Sequence, residues 1–136
     1  MKTKLLITLS ILLFIFSCSS PENPSVVNKK SIAKYAGTYT GKAQYSVGNT
    51  QEDVILIVKE DGTVTLNTKN PNREFKFENI SETGSGEYNS QKKVEKSTLI
   101  INIIFKGNGN ASMSFMIQGN ASGTTETYNA DKLVKN

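Results

Sequence analysis

The sequence predicts an all-β protein, an antiparallel up-and-down meander of about seven or eight strands, closed into a small barrel or folded as a sandwich. Three observations lead there. Apolar and polar residues alternate with period two from Thr38 onward, as half-buried strands require. Gly, Asn and Asp cluster between the alternating runs at short intervals, which is hairpin turn chemistry. No stretch of the domain combines helical period with helical length.

Ahead of the first strand, Val26 and Val27 form an isolated apolar pair followed by Asn28, Lys29 and Lys30, so any helix before Tyr35 is short. Tyr39, Ala43 and Tyr45 then alternate with Thr38, Thr40, Lys42 and Gln44. Residues 54–58 are rich in β-branched side chains, and Val64 and Leu66 alternate with Thr63, Thr65 and Asn67. Phe75 and Phe77 alternate with Glu74, Lys76 and Glu78. Leu99, Ile101, Ile103 and Phe105 share one face, as do Met113, Phe115 and Ile117. Turns fall at Asp61-Gly62, Asn70-Pro71-Asn72, Gly84-Ser85-Gly86, the 107–110 loop and Gly119-Asn120.

Two hairpins have a register fixed by side-chain logic. A three-residue turn of Glu60, Asp61 and Gly62, with Gly62 in the left-handed region, pairs Val58 with Val64 and Leu56 with Leu66. A two-residue turn would instead pair Lys59 with Val64. In the later hairpin, a five-residue loop from Lys106 to Asn110 pairs Phe105 with Ala111, Ile103 with Met113, Ile101 with Phe115 and Leu99 with Ile117. A slip of one residue would turn those apolar rows to water.

The N-terminus has a different character. Lys2 and Lys4 precede an apolar run over 5–16, broken only by Thr8 and Ser10 and closed by Ile15-Phe16-Ser17-Cys18. The run is short for a membrane span and has the layout of a secretory signal. Cys18 directly after a small residue resembles the lipobox of bacterial lipoproteins, and it is the only Cys in the chain. That resemblance implies cleavage before Cys18, a diacylglyceryl group on its sulfur and acylation of the new amine. Ser19, where enteric inner-membrane lipoproteins carry Asp, implies sorting to the outer membrane. With no second Cys, no intramolecular disulfide is possible.

Loss of Lys2 and Lys4 with the signal takes the formal charge from +4 to about +2, 14 basic groups against 12 acidic. No basic stripe with interleaved aromatics points to nucleic acid. Lys29, Lys30 and Lys34 lie where they can touch anionic headgroups. The Ser-, Pro- and Asn-rich stretch after Cys18 is a leash. The expected division is a signal over 1–17, a lipidated tether over 18–34 and a single β domain over 35–136.

Gly37 and Tyr39, following the turn at 32–36, resemble the start of lipocalin-like barrels, where Gly-x-Trp opens the first strand; Tyr39 stands in place of the Trp. That resemblance implies a barrel able to hold a small ligand.

Residue types exclude several chemistries. The chain has no His, so imidazole triads and His-containing zinc sites are absent, and no cofactor or metal is expected. Two Ser-x-x-Lys matches, Ser31 to Lys34 at the end of the leash and Ser90 to Lys93 in a polar linker, lack the companion motifs of penicillin-binding proteins and β-lactamases. The acidic neighbours Glu52-Asp53 and Glu60-Asp61 fall at strand ends, where carboxylates solvate a hairpin; a glycosidase-type pair would need facing geometry. The 107–110 loop contains no carboxylate for Ca²⁺. Asn79-Ile80-Ser81, Asn110-Ala111-Ser112 and Asn120-Ala121-Ser122 match a glycosylation pattern that has no standing in a bacterial lipoprotein. An enzyme, such as a small hydrolase, is therefore the weakest reading.

Two binding readings remain. Large inward candidates, Tyr39, Tyr45, Phe75, Phe77, Phe105 and Phe115, favour a filled interior over a ligand cavity. Ile55 and Ile57 on one strand, with Ile100, Ile104 and Met116 on the later hairpin, are apolar on the outward face. An apolar patch there marks a protein partner or an overlying segment. The expectation is a lipid-anchored envelope protein that binds other proteins, with a small ligand as the alternative.

Overall fold

The computed structural model describes residues 29–119 and 123–136. A five-residue helix, α1 (Lys29–Ala33), precedes β1 (Gly37–Tyr45), a 3₁₀ turn (Val47–Asn49), β2 (Thr50–Val58), β3 (Val64–Thr68) and β4 (Arg73–Phe77). Then follow β5 (Ser81–Gly84), β6 (Glu87–Val94), β7 (Ser97–Phe105), β8 (Asn110–Gly119) and β9 (Thr125–Lys135). All pair antiparallel in one sheet, ordered β4-β3-β2-β1-β9-β8-β7-β6-β5. It is a single curled meander, a half-barrel and not a sandwich, in which β1 and β9 pair and the two edge strands are neighbours in sequence.

The described strands number nine, where the spacing suggested seven or eight. The added pairing lies in the polar stretch, where β5 and β6 hold Ser81↔Asn89 and β6 runs along β7 from Glu87↔Ile104 to Val94↔Ser97. Ser90 and Lys93 are thus on a strand and not in a linker. Period two is weak there because the sheet edge buries little: on β6 only Tyr88 and Ser90 are buried.

Both expected hairpin registers are present. Val58 pairs with Val64 and Leu56 with Leu66, and Lys59 N–H donates to Thr63 C=O at 2.9 Å. Gly62 has φ 82°, the left-handed conformation that Gly adopts without steric cost. The later hairpin pairs Phe105↔Ala111, Ile103↔Met113, Ile101↔Phe115 and Leu99↔Ile117.

One feature of β9 breaks the alternation. Against both β1 and β8, β9 carries one extra residue near Asp131 and Lys132, a β-bulge. Strict alternation from Tyr128 and Ala130 would turn Lys132 inward and Leu133 outward. The bulge reverses this: Leu133 is fully buried and Val134 is exposed. Opposite it stands Gly41, where a Cβ would lie 2.6 Å from the Lys132 carbonyl oxygen. The bulge requires the glycine.

The interior is filled by aromatic side chains. Tyr39, Tyr88, Tyr128, Phe77 and Phe115 are all 2 % exposed or less. At one end α1 covers the core: Ile32 is fully buried, and Tyr35 stacks on Phe105 with centroids 4.2 Å apart. Two buried phenols find acceptors in this cap, Tyr88 donating to Ser31 C=O at 3.1 Å and Tyr39 to Tyr35 C=O at 2.7 Å. Packing therefore begins before residue 35, within the segment the sequence assigned to the tether.

Candidate functional site

Outward positions of β1, β2 and β3 line an open groove of about 670 Å³. Ile55 lies in it, 40 % exposed, between Thr40 on β1 and Asn67 on β3. One rung along, Asp53 accepts from Lys42 Nζ at 2.7 Å and meets Lys69 Nζ at 3.7 Å. The hydrogen bond from Lys42 holds the Asp53 carboxyl below the usual carboxylate range and raises Lys42 in turn. The groove is thus an apolar centre beside a compensated charge cluster. Ile57 is half-buried two residues on, between Thr38 and Thr65.

The other three outward positions lie elsewhere. Ile100 and Met116 are direct cross-strand partners, both half-buried. Ile104 faces Ser112 and is 43 % exposed, one polar rung away: Asn102 accepts from Asn89 at 2.6 Å and Ser114 donates to Asn129 at 2.8 Å. A smaller groove of about 310 Å³ opens beside Ile104 and Asn129. Strands β1 and β9 separate this cluster from Ile55 and Ile57, with Thr40, Thr127 and Asn129 on the intervening outer face. Val134, 45 % exposed and paired with Thr40 and Asn110, is the apolar residue between them. The five candidates form two small clusters on one outer face.

A third constellation sits inside the open end of the curl, opposite α1. Arg73, the only arginine in the chain, shares inward parity with Phe75 and Phe77 on β4. Its Nη2 donates to Tyr128 OH at 2.6 Å and Glu126 Oε2 at 2.8 Å, with Tyr45 OH at 3.4 Å. Tyr45 OH donates to the same Glu126 oxygen at 2.7 Å and stacks on Tyr128 at 4.3 Å. Burial, with the bond to Glu126, pushes the Tyr45 phenol up to about 12. The bond from Arg73 holds Glu126 below its ordinary value against partial burial. Burial alone would lower Arg73, but its bonds to Glu126 and Tyr128 outweigh that and raise it. Arg73 Nε is buried without a hydrogen-bond partner among the described residues. This cluster ties edge strand β4 across the interior to β1 and β9. It was missed in the sequence, where the alternation ending in Phe77 already gave Arg73 its inward direction.

The remaining motifs separate on the strands. Ser90 is buried and donates to Asn79 C=O, while Lys93 is exposed on the opposite face. Glu52 is buried inward, accepting from Thr50 at 2.7 Å, whereas its neighbour Asp53 points outward. Asp61 accepts from Thr63 N–H at 2.8 Å inside its turn. Lys34 lies 3.8 Å from Glu82. In the 107–110 loop, Asn108 accepts from Asn110 N–H at 3.2 Å. No group of three His, Cys, Asp or Glu fit to hold a metal occurs among the described residues, and no helix among them is long and apolar enough to cross a membrane. Cys18 lies outside the described residues.

The chain matches no protein-family model, no curated protein and no solved structure.

Proposed function

We propose that this chain is a lipid-tethered protein of the bacterial envelope whose β domain works by binding protein partners on the outer face of its sheet. The tether rests on Ile15-Phe16-Ser17-Cys18 and on the placement of the single Cys. Ser19 favours the outer membrane. The reading of the domain rests on one contrast. The inward face is packed with large aromatics, whereas Ile55, Ile104 and Val134 are 40–45 % exposed on the outward face, beside the two open grooves. A filled interior leaves the surface as the place to bind, and exposed apolar residues beside a polar rim are what protein partners bury.

The test is cross-linking of the full chain in envelope membranes, comparing the native protein with Ile55→Ser plus Ile104→Ser. Both sites are outward, so thermal stability should be nearly unchanged, and specific cross-linked species should be lost. Undiminished cross-linking would exclude the outer face. A small-ligand reading has one observation in its favour, the Arg73 guanidinium gathered with Tyr45 and Tyr128 at the open end. Native mass spectrometry of the purified protein would show a retained small molecule under that reading.

A further inference from the structure

The two edges of the sheet belong to one bent segment. β4 pairs with β3, residues 78–80 cross, and β5 pairs with the start of β6. At the crossing the seam is shut: Ser90 Oγ donates to Asn79 C=O and Ile80 is buried. Toward the Arg73 end, β4 and the second half of β6 share no ladder. Across that gap Lys92 Nζ donates to the Lys76 carbonyl at 3.5 Å.

Hydrogen-bond parity identifies the groups that face the gap. Phe105 N–H donates to Gly86 C=O at 2.9 Å, so Tyr88, Ser90, Lys92 and Val94 exchange bonds with β7, and Gln91 and Lys93 turn theirs outward. On the other lip, Lys59 N–H to Thr63 C=O and Lys69 N–H to Asp53 C=O commit Val64, Leu66 and Thr68 to β4. Glu74 and Lys76 therefore turn their N–H and C=O groups into the gap. Beneath it Phe75 and Ile117 are only half-buried, and Val94 is 38 % exposed. Lys92 and Lys93 on the β6 lip, and Lys96 in the turn that follows it, form no ion pair among the described residues.

We propose that this slot receives a short extended segment of a protein partner, about four residues long, as an added strand between β4 and β6. It would run antiparallel to β6, in the direction of β5, and displace the Lys92 ammonium from the Lys76 carbonyl. Its inward side chain is apolar, resting on Phe75 and Ile117, and its outward side chains are acidic, facing Lys93 and Lys96. Lysines on a free edge normally deter strand addition. They deter a second copy of this chain from pairing through its own β6 edge, which carries the same charge, and leave an acidic strand as the compensated one. The proposal rests on the binding-module reading but on a surface separate from Ile55 and Ile104.

The probes are two acetylated, amidated hexapeptides, Glu-Val-Glu-Val-Glu-Val and Lys-Val-Lys-Val-Lys-Val, added to the full chain in detergent micelles. The readout is residue-resolved amide hydrogen exchange. In the free protein the amides of Glu74, Lys76, Gln91 and Lys93 should exchange quickly while those of Ser90 and Lys92 are protected. The acidic peptide should slow the first set at least about tenfold, and the basic one should not. Gln91→Pro removes an edge N–H that β7 does not use, and should abolish the slowing. Lys93→Glu with Lys96→Glu, which leaves the backbone intact, should shift preference toward the basic peptide. Slow exchange of all four amides without peptide would overturn the proposal, as would equal protection by both peptides or by neither. Protection confined to residues around Ile55 and Ile104 would also overturn it, while leaving the binding-module reading in place.

Discussion

Glu126→Gln removes one charge from the Arg73 cluster and little else. In the native protein the carboxylate accepts from Arg73 at 2.8 Å and from Tyr45 at 2.7 Å. The Arg73 and Glu126 side chains are 29 % and 32 % exposed, so solvent screens them in part. Breaking a fully buried pair costs about 3–5 kcal/mol and an exposed one about 0–1. This pair lies between, and the expected loss at neutral pH is about 1–2 kcal/mol. For a domain near 100 residues that is a fall of roughly 5–15 °C in Tm. The pH dependence has a definite sign. Glu126 titrates below its ordinary value of about 4.5 when folded, chiefly through the Arg73 hydrogen bond. The unfolded chain therefore takes up the proton first. The stabilisation is complete above about 4.5 and is lost as pH falls through the lower, folded value. Thermal unfolding followed by circular dichroism should show a gap between native and variant at neutral pH that closes under acid conditions. Equal Tm values at neutral pH, or a gap that stays constant into acid, would refute the cluster as a clamp on β4.

Two other substitutions probe the packing. Phe115→Ala removes a fully buried ring 4.6 Å from Phe75 and 6.0 Å from Phe77, and should cost about 3–5 kcal/mol in chemical denaturation; Lys76→Ala, on the outward face of β4, should leave the midpoint unchanged. Gly41→Ala puts a methyl 2.6 Å from the Lys132 carbonyl and 2.9 Å from Leu133; because one neighbour is backbone, it should cost about 1–3 kcal/mol, with the amide shifts of 131–133 displaced in NMR spectra.

The parts of this structure visible in the sequence were those where local and long-range demands agree. In the 58/64 and 105/111 hairpins, the turn residues and the apolar rows allow the same register. Strands β5 and β6 were obscured because inward positions near a sheet edge need not be apolar, as Ser90 and Lys92 illustrate. The β9 bulge has no composition of its own; the trace it leaves is Gly41, ninety residues away on the neighbouring strand. The division of the outward isoleucines followed from β1 pairing with β9, a long-range closure that alternation cannot reveal. Arg73 was legible by parity, but its partners come from strands that only the curl of the sheet brings near.

The intact mass of the protein extracted from bacterial membranes tests the lipid-tethered reading most directly. The expected species begins at Cys18 and carries the added mass of its acyl chains, and Cys18→Ser should yield an unprocessed, unacylated precursor. A native chain with an unmodified Cys18, or one cut at another position, would contradict the account.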